Sequence, residues 1–179
     1  MANTYTLISS VTVGSGGAAS IDFTSIPSTY TDLVLKVSSR DDRSGQPNGD
    51  LAVQIGLNGT INTGSIYSTR RLYGASTFTG SDSISSAASA GVGMSDSSTA
   101  TANTFSNNEL YFPNYAGSTN KSFSVDGVSE NNSSSGGWQI LNAGLAATTN
   151  AITDIRLTSF FGTAFAQYTT AYLYGISNA

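Results

Sequence analysis

Hydrophobic and polar residues alternate with a period of two along much of the chain. In residues 51–57 every second residue is Leu, Val or Ile, and the residues between them are small or polar. Residues 33–38 show the same period. Because successive side chains of a strand point to opposite faces, both runs predict strands with one buried face.

Further runs with strand character are separated by clusters of turn residues from one end of the chain to the other. They are residues 4–13, 19–24, 65–73, 107–113, 121–129, 137–146, 150–160 and 164–176. Short strands at this regular spacing are typical of sandwiches and barrels. The pattern predicts an all-β fold, an antiparallel jelly-roll-like β-sandwich of about 8–10 strands, and leaves the strand order open.

Glycine-containing breaks predict how some of these strands are joined. Residues 14–17 read Gly-Ser-Gly-Gly, which can supply the positive φ of a tight hairpin between the first two strands. Asp126 and Gly127 lie inside an alternating run, and of a chain reversal and a β-bulge at this position the bulge is preferred.

The length of 179 residues predicts a single domain spanning 1–179. Residues 75–106 stand apart because they are almost entirely Ser, Ala, Gly, Thr and Asn. Three interpretations remain open for this segment: a long loop or insertion, a strand at 88–94, or a segment ordered by a partner. The first is preferred, and the second would bury Ala90, Val92 and Met94 against something small.

Composition excludes several classes of function. The chain has no Cys and no His, so thiolate metal sites, disulfides and histidine general bases are impossible. The net charge of −4 argues against sequence-independent nucleic-acid binding. No apolar run approaches the roughly 20 residues of a membrane span, and the N-terminal residues do not resemble a signal peptide. We therefore expect no cofactor, no metal, no nucleic acid and no membrane partner.

The acidic residues are candidates for metal ligands and for catalytic groups. Asp41 and Asp42 lie in a glycine-containing loop, where calcium ligation competes with a solvated loop carrying local ion pairs. Glu109 and Glu130 are the two glutamates of the chain, and a glycosidase would need two carboxylates facing each other. The alternative for Glu109 is a strand residue paired with a Lys or Arg. We expect no catalytic residue.

Five residues are candidates for an interface. Arg70 and Arg71 could stack or bind phosphate or sugar beside Tyr73, or they could lie on opposite strand faces with one holding a carboxylate. Trp138 could stack on a carbohydrate, or it could belong to the core or a protein contact. Tyr115 is included because nine tyrosines exceed what a core of this size needs to bury.

Several segments together resemble a known family. They are residues 26–35 (IPSTYTDLVL), 67–74 (YSTRRLYG), 102–105 with 111–115 (ANTF and YFPNY), 119–122 (TNKS) and 172–176 (YLYGI). In this order they resemble small virion proteins of tailed phages, which are common in phages of cyanobacteria and marine bacteria. The resemblance covers nearly the full length of the chain.

The resemblance implies a non-enzymatic virion protein with a jelly-roll-like sandwich. The expected role is a capsid cement or decoration protein, made in the host cytoplasm and bound to the major capsid protein on the capsid surface. A symmetric homo-oligomer is expected, with a trimer as first choice. The alternative is a receptor- or carbohydrate-binding module of the tail-fibre type.

Overall fold

The structure is a computed structural model that describes residues 4–132, 136–161 and 164–177. Within these residues the chain forms thirteen β-strands joined by turns and loops. They are β1 (Tyr5–Thr12), β2 (Ile21–Phe23), β3 (Asp32–Ser39), β4 (Asn48–Leu57), β5 (Thr60–Ile61), β6 (Tyr67–Ala75), β7 (Thr79–Ala87), β8 (Ala90–Asp96), β9 (Ser106–Phe112), β10 (Lys121–Ser129), β11 (Trp138–Ala146), β12 (Asp154–Ser159) and β13 (Thr170–Ile176).

The strands form two antiparallel sheets of unequal width. The large sheet has eight strands in the order β1-β13-β3-β9-β10-β11-β6-β7. The small sheet runs β2-β12-β4-β5, and β8 also pairs with β4. The predicted fold class, an all-β antiparallel sandwich, is confirmed. Among the described residues no helix has the length and apolar character to span a membrane.

The core lies between the sheets and comes from the alternating positions that the sequence shows. In β10 and β11 buried and exposed residues alternate along the strand, as a half-buried strand requires. Apolar side chains from both sheets pack together there, including Leu35, Ile55 and Leu110. The large sheet has more strands than the small one, so part of its inner face is not covered by the small sheet.

Residues 75–106 contain two strands, so the preferred prediction of a long loop or insertion is wrong. β7 forms an edge of the large sheet, and β8 is buried along its whole length. The alternative of a strand at 88–94 is close to β8. The loop prediction failed because the alternation of Ala90, Val92 and Met94 with small residues in β8 is short, and because Ile84 is the one large hydrophobic residue of β7.

Side-chain amides of the large sheet hold β8 in place. Asn108 Nδ2 donates to the Met94 carbonyl (2.8 Å), and Asn108 Oδ1 accepts from the Met94 N–H (3.0 Å). Asn142 Nδ2 donates to the Gly91 carbonyl (2.7 Å). These bonds satisfy backbone groups of β8 in the buried space between the sheets, where unpaired groups are costly.

Two predictions about the breaks between strands are wrong. Residues 14–17 do form a turn, with Gly17 at φ 70°, but β1 pairs with β13 and β2 with β12, so the turn joins two sheets and not a hairpin. At Gly127 the pairing of β10 with β9 and β11 keeps its register, so there is no bulge. Gly127 leaves room for the Asn108 side chain, since a Cβ at this position would lie 2.6 Å from Asn108 Oδ1.

Candidate functional site: an outer apolar patch and an edge cleft

The outer face of the large sheet carries large apolar side chains in the open. Leu72 on β6 and Leu141 on β11 are direct cross-strand neighbours, and they are 59% and 58% exposed. Val128 and Leu145 are also exposed on this face. We call these four residues the outer apolar patch. An exposed cluster of this kind marks an interaction surface more often than isolated exposed residues do.

Charged residues continue the same row of the sheet beyond the patch. Leu141 lies opposite Asp126, which lies opposite Glu109, which in turn lies opposite Lys36. Lys36 Nζ and Glu109 Oε2 form an ion pair at 2.7 Å. The alternative for Glu109, a strand residue paired with a Lys or Arg, is confirmed. The patch is therefore bordered by charges along one side.

A cleft opens where the large sheet extends past the small one. Strands β6, β7 and β11 form one wall, while β4, β8 and the loop after β3 form the other. Its volume is about 410 Å³. Ligand pockets commonly span about 300–1,000 Å³, so the cleft has the size of a small-molecule site.

Three aromatic rings form a cluster on the large-sheet wall of the cleft. The Trp138 ring lies 5.5 Å from that of Tyr73 and 5.3 Å from that of Phe78, measured between centroids. Tyr73 and Phe78 are 6.1 Å apart in an edge-to-face arrangement. Gly80 makes room for this cluster, because a Cβ there would lie 2.7 Å from the Tyr73 hydroxyl. The aromatic cluster remains partly open to solvent, with Phe78 50% exposed.

An arginine between two carboxylates connects the walls of the cleft. Arg71 donates from Nε and Nη2 to the two oxygens of Asp82, at 2.8 and 2.7 Å, which is bidentate geometry. Arg71 Nη1 also lies 3.5 Å from Asp50 Oδ2 on β4. Asp82 is the cross-strand neighbour of Arg71, whereas Asp50 belongs to the small sheet.

The two carboxylates respond to this arrangement in opposite directions. The hydrogen bond from Arg71 lowers the pKa of Asp82 below its ordinary value. Burial raises the pKa of Asp50, and the charge of Arg71 only partly offsets this. Burial of Asp50 thus outweighs the effect of Arg71 on its pKa.

The far wall of the cleft adds a second arginine and a fourth aromatic ring. The Arg43 guanidinium lies 3.9 Å from the centroid of the Phe161 ring, in cation–π geometry. Arg43 Nη1 also donates to the Asn48 carbonyl at 3.0 Å. With Arg43, Arg71, Asp50 and Asp82, the formal charge of the cleft sums to zero.

Three of the five candidate interface residues come together in the cleft, namely Arg71, Tyr73 and Trp138. Arg70 is exposed on the outer face beside the patch, so the two arginines lie on opposite faces and Arg71 holds a carboxylate, as one alternative predicted. Tyr115 is a correction, because its side chain is 1% exposed and packs in the core. Its hydroxyl donates to the Pro27 carbonyl, so it cannot contact a partner.

The sequence did not single out the partners that complete the cleft. Phe78, Asp82 and Phe161 lie in segments without a strong pattern, and Asp50 comes from a strand distant in sequence. Only the ion pair of Arg71 and Asp82 could have been predicted from the sequence. These residues become cross-strand neighbours if β6 and β7 are recognised as a hairpin.

Asp41 and Asp42 differ in exposure, since Asp41 is buried and only Asp42 is exposed as the solvated-loop alternative predicted. Asp41 is fully buried and accepts hydrogen bonds from the Arg43 N–H (3.2 Å) and the Ser159 hydroxyl (3.1 Å). Asp42 Oδ1 accepts from the Ala164 N–H. Within the described residues no group of three or more acidic side chains is placed to hold a metal ion. The two carboxylates therefore hold the loop after β3 to the segment around Ser159 and Ala164 by hydrogen bonds.

Comparisons with known proteins give weak structural matches. Neither a protein-family model nor a curated protein matches the sequence. The Ruminococcus gnavus IT-sialidase CBM40 bound to α2,6-sialyllactose is 11% identical with a TM-score of 0.36, covering 98% of this chain and 93% of that chain. The enzymatically active domain of bacteriophage CBA120 tailspike protein 2 is 11% identical with a TM-score of 0.31, covering 98% of this chain and 29% of that one.

A third match is the CBM2 module of the evolved Dit of Lactobacillus casei BL23 phage J-1. It is 11% identical with a TM-score of 0.30, and it covers 89% of this chain and 70% of that chain. Carbohydrate-binding modules and phage tail proteins are thus among the weak structural neighbours. At 11% identity and TM-scores of 0.30–0.36, these similarities do not indicate a function.

Proposed function

We propose that the protein is a non-enzymatic structural protein of a tailed-phage virion, a cement or decoration protein that binds the major capsid protein on the capsid surface. It is made in the host cytoplasm and assembles onto the head. The outer apolar patch carries this proposal, because its leucines are solvent-exposed on a rigid sheet. The ordered sequence resemblance to small virion proteins supports the same role.

The chemistry of the patch suits protein docking. Interface cores are enriched in large apolar side chains, and Leu72 and Leu141 supply an exposed cross-strand pair of them. The ion pair of Lys36 and Glu109 and the charge of Asp126 lie at its border, where charges set register and specificity. Binding to the assembled lattice stabilises that lattice by mass action at each occupied site.

The proposed oligomer is a homotrimer. A cement protein repeated over a symmetric shell has a closed cyclic interface as its simplest arrangement. The two edge strands of the large sheet, β1 and β7, and the exposed Tyr5 and Leu7 on β1 offer surface for such an interface apart from the outer apolar patch.

Co-sedimentation with undecorated phage heads tests the proposal. The wild-type protein is expected to bind heads saturably, and a Leu72→Ser, Leu141→Ser double variant is expected to lose that binding. Tyr168→Ser is the control, since Tyr168 is exposed as the two leucines are but lies just before β13, outside the patch and outside the edge strands β1 and β7. Failure of the wild-type protein to bind heads would overturn the capsid role.

The cleft favours a second candidate function, a receptor- or carbohydrate-binding module of the tail-fibre type. The specific observation is the aromatic cluster beside hydrogen-bonding side chains, because a few placed polar groups and aromatic walls are what small-ligand sites share. Binding to host cells without binding to heads would favour this function over the first.

A further inference from the structure

We infer that the edge cleft is a binding site for a neutral pyranose sugar, which stacks on the aromatic cluster and donates hydroxyl hydrogen bonds to Asp50 and Asp82. This inference rests on the second candidate function and names the class of its ligand. It concerns a different surface from the outer apolar patch, so a cement protein could carry both.

The apolar half of the argument is the shape of the large-sheet wall. Phe78 and Trp138 meet nearly at right angles, with an interplanar angle of 84°, so they form a corner and not a flat stack. Tyr73 adjoins both rings. A sugar ring has one or two apolar C–H faces, and a corner of aromatic rings can contact a face and an edge together.

The polar part of the argument is that the carboxylates of Asp82 and Asp50 can accept further hydrogen bonds. A carboxylate offers about four lone-pair sites, and at Asp82 the Arg71 fork occupies one site on each oxygen. Asp50 faces the same space and is held by Arg71 at the longer distance of 3.5 Å. The hydroxyls of a sugar are donors that the remaining lone pairs of these carboxylates can accept.

Charge selects the neutral class of sugar. The two arginines of the cleft are already engaged, Arg71 by both carboxylates and Arg43 by the Phe161 ring and the Asn48 carbonyl. An anionic sugar would have to compete with these contacts, and a cation would meet Arg71 between the carboxylates. A neutral polyol keeps the ion pairs and adds hydrogen bonds to them.

The protein contains its own reporter for this test. Trp138 is the single tryptophan of the chain and belongs to the aromatic cluster, so its fluorescence reports directly on the cleft. The probes are the methyl pyranosides of glucose, galactose, mannose and N-acetylglucosamine in both anomeric forms. N-acetylneuraminic acid and choline serve as the anionic and cationic comparators.

We expect at least one neutral pyranoside to change Trp138 fluorescence saturably, and the two comparators to leave it unchanged. Phe78→Ala should raise the dissociation constant by about tenfold, because it removes one side of the corner. Asp82→Asn should weaken binding as well, since it removes the acceptor pair that Arg71 orients. Tyr172→Ala is the matched aromatic control, exposed on the outer face and outside the cleft.

Three results would overturn the inference. They are a flat response to every neutral pyranoside, a saturable response to a charged comparator alone, or binding that Phe78→Ala and Asp82→Asn leave unchanged. A parallel assay of binding to host cells separates this failure from that of the second candidate function. Cell binding with no pyranoside response would leave a receptor role in place and remove the sugar site.

Discussion

The Asn108 side chain pairs with the Met94 backbone as another strand would. Its amide nitrogen donates to the Met94 carbonyl and its amide oxygen accepts from the Met94 N–H, across the space between the two sheets. Gly93 and Gly127 flank the amide, since a Cβ at either position would lie within 2.6 Å of Asn108 Oδ1. The two glycines and the asparagine therefore form one packing unit.

Replacing Asn108 by Leu should destabilise the protein strongly. The change leaves the Met94 N–H and carbonyl buried without these partners, and each unsatisfied group costs about 1–3 kcal/mol. We expect a loss of about 2–4 kcal/mol in the free energy of unfolding, measured by urea denaturation. Asn107→Ala, at the exposed neighbouring position of β9, is the control and should change stability by less than about 0.5 kcal/mol.

Gly144 should be intolerant of a methyl group, whereas Gly74 should accept one. A Cβ at Gly144 would lie 2.0 Å from the buried Phe123 ring, but at Gly74 it would meet nothing within 4 Å. Overpacking of this kind typically costs about 1–3 kcal/mol, so Gly144→Ala should lower the thermal midpoint and Gly74→Ala should not. Equal midpoints would show that the Phe123 ring relaxes freely.

Asp41 should make stability fall as pH rises. Burial raises the pKa of this carboxyl above its ordinary value of 3.8, although hydrogen bonds from Arg43 and Ser159 oppose the shift. The folded state then binds the proton more tightly than the unfolded state, so this contribution is present below 3.8 and is lost as pH rises through the folded pKa.

Asp41→Asn removes that titration. The stability of the variant relative to the wild-type protein should therefore increase as pH rises from the unfolded pKa through the raised folded pKa. Urea unfolding of both proteins across that window measures the difference. Parallel pH profiles would contradict the expected role of Asp41.

The outer apolar patch should contribute little to folding. Leu141 is largely solvent-exposed, so Leu141→Ser is expected to change the free energy of unfolding by less than about 0.5 kcal/mol while weakening attachment to heads. Sedimentation equilibrium should give three times the 18.4 kDa chain mass for the wild-type protein and for this variant. A monomeric wild-type protein would contradict the proposed trimer.

Alternating hydrophobicity predicted most of the sandwich because most strands bury one face and expose the other. β10 and β11 follow that rule, and the runs 121–129 and 137–146 correspond to them closely. β8 does not follow it, because both of its faces are buried. Its Gly93 leaves room for Asn108, and the carbonyl of its Gly91 accepts a hydrogen bond from Asn142. A contact between distant segments of this kind leaves no local pattern.

The candidate site was partly predictable for the same reason. Residue type and neighbouring aromatic residues identified Arg71, Tyr73 and Trp138, which lie on two adjacent strands. Tyr115 was misassigned because the count of tyrosines says nothing about which of them are buried. Asp50 could not be predicted as part of the site, because it lies on β4 in the small sheet and meets Arg71 on β6 only when the two sheets pack together.

The position of the last two strands has a consequence for synthesis on the ribosome. β12 lies between β2 and β4, and β13 lies between β1 and β3, so both strands fill the interior of a sheet. Neither sheet can close until residues 154–176 have left the exit tunnel, and the earlier strands wait with open edges. Both sheets therefore depend on pairings between segments far apart in sequence, which slow folding, and a chain that stops before residue 154 leaves the edges of β3 and β4 open to pairing with other chains.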